Sequence, residues 1–435
     1  MAAEIKVTNP YDNRVVATVP MFTEREVRAA VGRAADSTVG DLPARERAGF
    51  LYRAGALIEE HIDSLAKLIV RESGKPVRLA RREVAQAAEV FTLAAGEANR
   101  LTGETLDLPW QLGNVAAIPA GVTAVFVPYN YPLADVARYT APALAAGCTV
   151  VVKPELPLTA LRMLDLLENA GLPSGAFEVV LGDDAVNEWL LADPRVAQAA
   201  VVGSPGMAES IARRAGLRRT LLDVQSQAIA IVDAEADLPR AATVCASSAF
   251  AFGGQLDTCL RRIHVHRSVY DEFRFRFLDA AGELVSGNPM QEDTDLGPLR
   301  SDDAAQQVID QVNGAIEEGA WLLAGGERDG RMVAPLVLEN LDDAMQIMQE
   351  PVVGPVACLS PFDKIDDALR LVNCPTTLMS LFTRDLNLAV RVAQCLDAAG
   401  VAINDAPTRH ESPQQVRRRM DSMTHLRTVI MASAE

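Results

Sequence analysis

The chain has 435 residues, 49% of them hydrophobic and 23% charged, with a formal net charge of -17. That length exceeds one simple core and predicts two or three domains. The acidic balance argues against nucleic acid and anionic membranes as partners, because phosphate recognition rests on clustered Lys and Arg. No apolar run reaches the length of a membrane span, and no apolar leader opens the sequence, so neither a transmembrane helix nor a signal peptide is expected. Six scattered cysteines without CxxC spacing suit a reducing cytoplasm. The short basic clusters Arg78, Arg81, Arg82 and Arg417-Arg418-Arg419 read as solvated helix faces. His264 and His266 alternate on a strand-like run and read as exposed, so no metal is expected.

In chain order, Asn9-Pro10-Tyr11-Asp12-Asn13 reads as a turn feeding a short strand over 15–20. Thr23 with Glu26 three residues on is a capping-box pattern, so a helix starts there. Phe50, Leu51, Ala54, Leu57 and Ile58 share one helical face, and a long Ala-rich helix is expected between Pro76 and about Asn99. This helical opening carries nothing catalytic. From Gly121 the pattern alternates: strand 122–127, helix 133–146, strand 149–152, helix 158–170, then segments at 177–181, 186–191, 197–202 and 206–215. Such alternation with short connections predicts a parallel, doubly wound sheet that binds its ligand at the carboxyl ends of the strands. A single strand with its exit is expected over 223–233, then a helix running to the turn at Gly253-Gly254. A second alternating region extends from Arg262 to about Asn404, with helices near 269–284, 302–318, 365–373 and 386–397, which places a domain change near Gln225. The tail 423–430 ends in a β-branched run with no partner nearby in sequence.

Five short motifs occur in a definite order. They are Pro128-Tyr129-Asn130-Tyr131-Pro132, Val151-Val152-Lys153-Pro154, Val202-Gly203-Ser204, the run from Gly254-Gln255 through Asp257 to Arg262-Ile263, and Glu350 to Pro355. Together they resemble the aldehyde dehydrogenase superfamily over nearly the whole chain. The resemblance implies an α/β, aldehyde-dehydrogenase-like fold with two doubly wound parallel-sheet domains and a small oligomerisation β-flap. Residues 1-103 and 121-225 would form a Rossmann-like cofactor-binding domain and residues 226-415 a catalytic-type domain. Residues 104-120 and 423-435 would be oligomerisation strands of a homodimer or homotetramer.

In that family a cysteine stands where this chain has Asp257, and the flanking spacing needs no gap, so Cys259 cannot be slid into the slot. The resemblance makes Asn130 the oxyanion donor, Lys153 and Glu155 the adenine-ribose contacts, and Gly203 and Ser204 the helix start under the pyrophosphate. Tyr129 and Glu350 join the cofactor contacts. Asp223 takes the place of the general-base glutamate, and Gln225 and Ser226 fill positions that are normally glycine. Pro351 and Val353 replace the residues that hold the nicotinamide ribose and ring, and the glycine-rich wall loop after Thr408 is absent. NAD(P) would therefore keep its adenine-side contacts and lose its nicotinamide-side ones.

A thiolate attacks carbonyls well near neutral pH, whereas a carboxylate does so poorly. Two carboxylates, Asp257 and Asp223, facing a pocket with Asn130 would repel, raising one pKa and giving one acid and one base. The expected function is a non-redox enzyme acting on a small carbonyl or imine compound. The alternative is a catalytically silent scaffold or partner subunit, with apolar residues exposed around the missing loop. Residual NAD(P)-dependent aldehyde oxidation is the third reading.

Overall fold

The strand Val122–Val127 (β1) is buried along its whole length, as a run without polar alternation must be at the centre of a parallel sheet. The computed structural model describes residues 3–108, 111–224, 227–372 and 374–432. Around β1 stand Thr149–Pro154 (β2), Phe177–Val179 (β3), Val196–Gly203 (β4) and Arg219–Val224 (β5). They form a five-stranded sheet in the order β3-β2-β1-β4-β5, parallel throughout. The order reverses between β1 and β4, so the loops leaving those two strands open a crevice at their carboxyl ends. Asn130 and Ser204 lie on those loops.

The second sheet has seven strands: Ala228–Val232 (β6), Leu260–His266 (β7), Trp321–Ala324 (β8), Leu336–Glu339 (β9), Val356–Phe362 (β10), Cys374–Phe382 (β11) and Ala398–Ile403 (β12). Their order is β8-β9-β10-β7-β6-β11-β12, and only the edge strand β8 runs antiparallel to its neighbour. The single strand expected over 223–233 is thus two strands in two sheets, β5 and β6. Both have strand-like composition, and periodicity cannot tell one strand from two that part company. The inferred change of domain at Gln225, and the side chains of Gln225 and Ser226, lie outside the described residues.

Several helices match the sequence pattern. Thr23 and Glu26 form the reciprocal capping box that starts Glu24–Ala35. The Ala-rich helix is Val77–Ala98 (α1). Ala134–Ala146 (α2) is buried at every residue, including Asp135 and Arg138, and so carries charge into the core. Pro205–Ala215 (α3), Leu238–Ala249 (α4) and Pro413–Ser422 (α5) complete the frame of the site. Phe126 on β1 is fully buried, and truncating such a side chain to Ala costs about 3–5 kcal/mol.

The tail strand Thr424–Ala432 finds its partner some three hundred residues upstream, pairing antiparallel with Gln111–Pro119, which in turn pairs with Glu104–Leu108. This three-stranded flap leaves Leu426 79% and Ile430 55% exposed.

Candidate functional site

Phe252, Gly253 and Gly254 follow α4 with φ of 53°, 60° and 68°, three consecutive left-handed residues. A Cβ on Gly254 would lie 1.9 Å from the Gly354 carbonyl oxygen, so only glycine fits. Buried Arg261 braces the turn, donating to the carbonyls of Gly254, of Gly354 at 2.9 Å and of Leu256 at 3.2 Å. This bracing fixes the direction in which residues 255–259 leave the turn.

The two candidates for the central residue face different surroundings. Cys259 is fully buried, its Sγ donates to the Ala251 carbonyl at 3.5 Å, and burial pushes its thiol up to about 11. It does not line either of the cavities that meet at Leu256. Asp257 lines the larger of them together with Asn130. Its Oδ1 has no hydrogen-bond partner among the described residues, while Oδ2 is ion-paired with Arg409.

Arg409 is the residue that sequence reasoning missed. It follows the strand β12 on the loop where the glycine-rich wall is absent, and its guanidinium is buried 5.9 Å from the Tyr131 ring centroid. Besides Asp257 it reaches Asp135 at 3.2 Å and Asp223 at 3.4 Å. Arg138 lies 3.1 Å from Asp135, 3.4 Å from Asp223 and 2.8 Å from Glu411, and Glu411 closes on Arg419 at 2.5 Å. Charges this far from water persist only when paired.

Asp223 and Asp257 are therefore brought together, but with a cation between them. Burial pushes Asp223 up, yet Arg409, then Arg138 and Arg419, hold it below the ordinary carboxylate value. The elevation expected from mutual repulsion is therefore not found at Asp223, whose charge these cations hold. Burial does raise the neighbouring Asp135, to about 6, against the opposing pull of Arg138 and Arg409. Nothing in the sequence separates Asp135 from an ordinary first-turn aspartate of a helix.

Asn130 is 4% exposed, and its main-chain carbonyl accepts from Lys75 Nζ at 2.6 Å. Lys75 is itself buried and ion-paired with Glu83, whose other oxygen accepts from the N–H groups of Leu133 at 2.8 Å and Ala134 at 3.2 Å. Those two residues open α2, so one buried pair ties the Asn130 turn, α1 and α2 together. Tyr131 bonds Thr258 at 3.3 Å, and burial followed by the nearby Asp257 raises its phenol, which stays protonated.

The larger cavity, about 480 Å³, collects Tyr129, Asn130, Glu155, Gly203, Ser204 and Glu350. Ser204 caps α3, accepting from the Met207 N–H at 3.3 Å, so the positive end of that helix opens into the space. A Cβ on Gly203 would meet Met207 Sδ at 2.8 Å. Lys153, placed with these residues by its motif, does not line the cavity, and burial lowers its ammonium pKa. Glu155 does line it but is engaged by Arg300 at 2.7 Å, and Arg300 in turn lies 5.1 Å from the Tyr129 ring centroid. Pro351 and Val353 form part of the far wall. Among the described residues no group of three or more His, Cys, Asp or Glu could hold a metal, and no helix is long and apolar enough to cross a membrane.

A second cavity of about 360 Å³ lies across Leu256, between α1, α4 and the Arg409 loop. Arg78 and Arg82 are exposed, as expected, but both also line the mouth of this cavity, while Arg81 pairs with Asp63 at 2.7 Å and Glu292 at 2.7 Å. Two expectations change. Arg419, read as solvated, is in the buried charge network. His264 is likewise buried, at 4% exposure, and desolvation lowers its imidazole to about 4, with Arg262 adding to the effect.

A family model described as the aldehyde dehydrogenase family matches residues 1–417. The 3-sulfolactaldehyde dehydrogenase of Priestia aryabhattai is 35% identical over 416 residues, covering 93% of this chain and 87% of that protein. The aspartate-semialdehyde dehydrogenase 1 of Pseudomonas canavaninivorans is 35% identical over 414 residues, covering 92% and 88%. Among solved structures, an aldehyde dehydrogenase from Brucella melitensis biovar abortus 2308 superposes with a TM-score of 0.93 at 30% identity, over 100% of this chain and 95% of that one. The glyceraldehyde-3-phosphate dehydrogenase GapN of Methanocaldococcus jannaschii, complexed with NADP, gives 0.91 at 28% identity over the full length of both chains.

Proposed function

We propose that this chain, which belongs to the aldehyde dehydrogenase family, carries Asp257 at the family's nucleophile position and acts on a small carbonyl or imine compound without thioester chemistry. The observation that carries this reading is the placement of Asp257. It fronts the larger cavity beside Asn130 with one unpartnered oxygen, while the neighbouring thiol of Cys259 points into protein and is held protonated. The Asn130 amide would donate to the carbonyl oxygen, where preorganised donors stabilise developing negative charge. Asp257 Oδ1 would take a proton from the carbon beside the carbonyl, with Arg409 holding Oδ2 and lowering the cost of charge nearby. Asp223, kept ionised, would position Arg409 rather than donate a proton.

The cavity residues fit the diphosphate half of NAD(P), because the N-terminus of α3 opens on the cavity beside Gly203. Ser204 and Gly203 would hold the diphosphate, with Glu155 and Lys153 towards the adenine ribose and Tyr129 and Glu350 on the nicotinamide side. NAD(P), when bound, supplies a hydride acceptor. The relatives are named for aldehyde oxidation, and this favours NAD(P)-dependent oxidation as a second reading. The buried pairing of Asp257 and Asp223 with arginines favours the silent scaffold, as does the exposure of Val353 (46%) and Leu371 (48%) at the cavity rim. We assign residues 1-103 and 121-225 to the cofactor-binding unit, 226-415 to the catalytic-type unit, and residues 104-120 and 423-435 to a homodimer or homotetramer contact.

Deuterium exchange separates these readings. The protein is incubated with 4-oxopentanoate in D2O, and proton NMR follows exchange beside the ketone above the protein-free rate. Exchange that disappears in Asp257→Asn is expected; exchange undiminished in that variant, or none in the native protein, overturns the proposal. Reduced nicotinamide formed from an aldehyde and NAD or NADP by the native protein restores the oxidative reading.

A further inference from the structure

We propose that Arg82, with Gln86 one turn further along α1, forms an anion subsite in the smaller cavity, so that the carbonyl compound this protein takes carries a carboxylate or sulfonate at its far end. The inference rests on the reading above, that a carbonyl compound reacts at Asp257 and Asn130, and adds what holds its other end.

Four cations line the smaller cavity: Lys75, Arg78, Arg82 and Arg409. Three are committed. Lys75 is paired with Glu83, Arg78 with Asp295 at 2.5 Å, and Arg409 with its three aspartates. Both carboxylates that line the cavity are consumed as well. Glu83 serves Lys75 and the N–H groups opening α2, and Asp295 serves Arg78 and accepts from the Val285 N–H at 3.0 Å. Arg82 has no ion-pair or hydrogen-bond partner among the described residues, and neither does the half-buried amide of Gln86. They stand four residues apart on one helix, so their heads are neighbours on the same face.

A planar guanidinium beside an amide N–H₂ offers several convergent donors, the recognition chemistry of a carboxylate or sulfonate. Opposite them Ser248 Oγ donates to the Thr258 carbonyl at 3.4 Å, and Thr258 Oγ1 is engaged with Tyr131, so the wall towards Asp257 is already satisfied within the protein. The cavity therefore has one end with uncommitted donors and another at Leu256, Thr258 and Arg409, across which Asp257 and Asn130 line the adjoining cavity. A molecule that spans it and reaches past Leu256 presents an anion to the first end and a carbonyl to Asp257.

The test compares binding of 4-oxopentanoate and of pentan-2-one, its uncharged counterpart, by calorimetry in the native protein, Arg82→Gln and Arg82→Lys. Arg82 is exposed on a helix, and Gln and Lys both support helix, so the variants fold. The expected result is a preference of roughly tenfold or more for the acid in the native protein. That preference vanishes in Arg82→Gln, persists in part in Arg82→Lys, and shrinks with added salt. Equal binding of both ketones by the native protein, or a preference that survives in Arg82→Gln, overturns the subsite. The deuterium exchange described above is read separately. A preference without exchange leaves the subsite standing and removes the proton-transfer reading, and exchange without a preference does the reverse.

Discussion

The two halves of the site are built in contrasting ways. The Ser204 side is a backbone construction: a glycine, a capped helix start and an open crevice at a point where strand order reverses. The Asp257 side is a side-chain construction, in which Arg409, Arg138 and Arg419 are shared among Asp135, Asp223, Asp257 and Glu411, contributed by segments far apart in sequence. The first depends on local sequence and tolerates change around it. The second is all-or-none, because removing one member leaves a charge buried without its partner.

The largest effect should come from opening the charge cluster at its centre. Arg409→Met leaves Asp135, Asp223 and Asp257 facing one another, and a loss of about 3–5 kcal/mol is expected in urea unfolding. A loss under about 1 kcal/mol would mean that the cluster is solvated and the contrast between the halves false.

Thiol chemistry gives the next test. In the native protein, iodoacetamide at pH 7 should label exposed Cys395 well before Cys259, whose thiol is enclosed and held protonated by burial. In Asp257→Cys the new thiol beside Arg409 should be alkylated quickly, since a neighbouring cation stabilises the thiolate. Rapid labelling of Cys259 in the native protein would return the nucleophile role to that residue.

The acid limb of stability should divide between two buried groups. Asp135, at about 6, binds its proton more readily when folded, so its contribution grows as pH falls from about 6 towards 4. His264, at about 4, is held neutral by folding, so its contribution is lost as pH falls from about 6.5 to 4. Asp135→Asn should thus steepen the loss of stability with acid and His264→Gln should flatten it, each by on the order of 2 kcal/mol across the window in chemical unfolding at stepped pH. Equal slopes in both variants would place the titration elsewhere.

Ser204→Ala marks the small end of the scale. Loss of the cap should cost about 1 kcal/mol and weaken NAD or NADP binding in a calorimetric titration, with the charge cluster untouched. A change in unfolding as large as that of Arg409→Met would erase the distinction between the halves.

What the sequence determined by itself is whatever follows from local periodicity and short motifs. The β1 strand was legible to the residue, the Thr23 capping box is present in both directions, and α1 falls within the expected bounds. The Gly203-Ser204 helix start could be read from three residues, because a cap is satisfied within one turn. Asp257 was recognised as the residue at the centre, but its partner was not. Arg409 is 152 positions away on a loop without regular pattern, and only the tertiary fold, which sets that loop, the start of β12 and the carboxyl end of β5 around one space with Asp257, brings the two together. The same holds for the basic clusters. Arg82 and Arg419 look like solvated charges in a helix, and whether such a side chain meets water, a cavity or a buried carboxylate depends on what the rest of the chain lays against that face. Local spacing fixes which way a side chain points along its own element; only tertiary structure decides what it points at, because the energy of a charge is set by its surroundings.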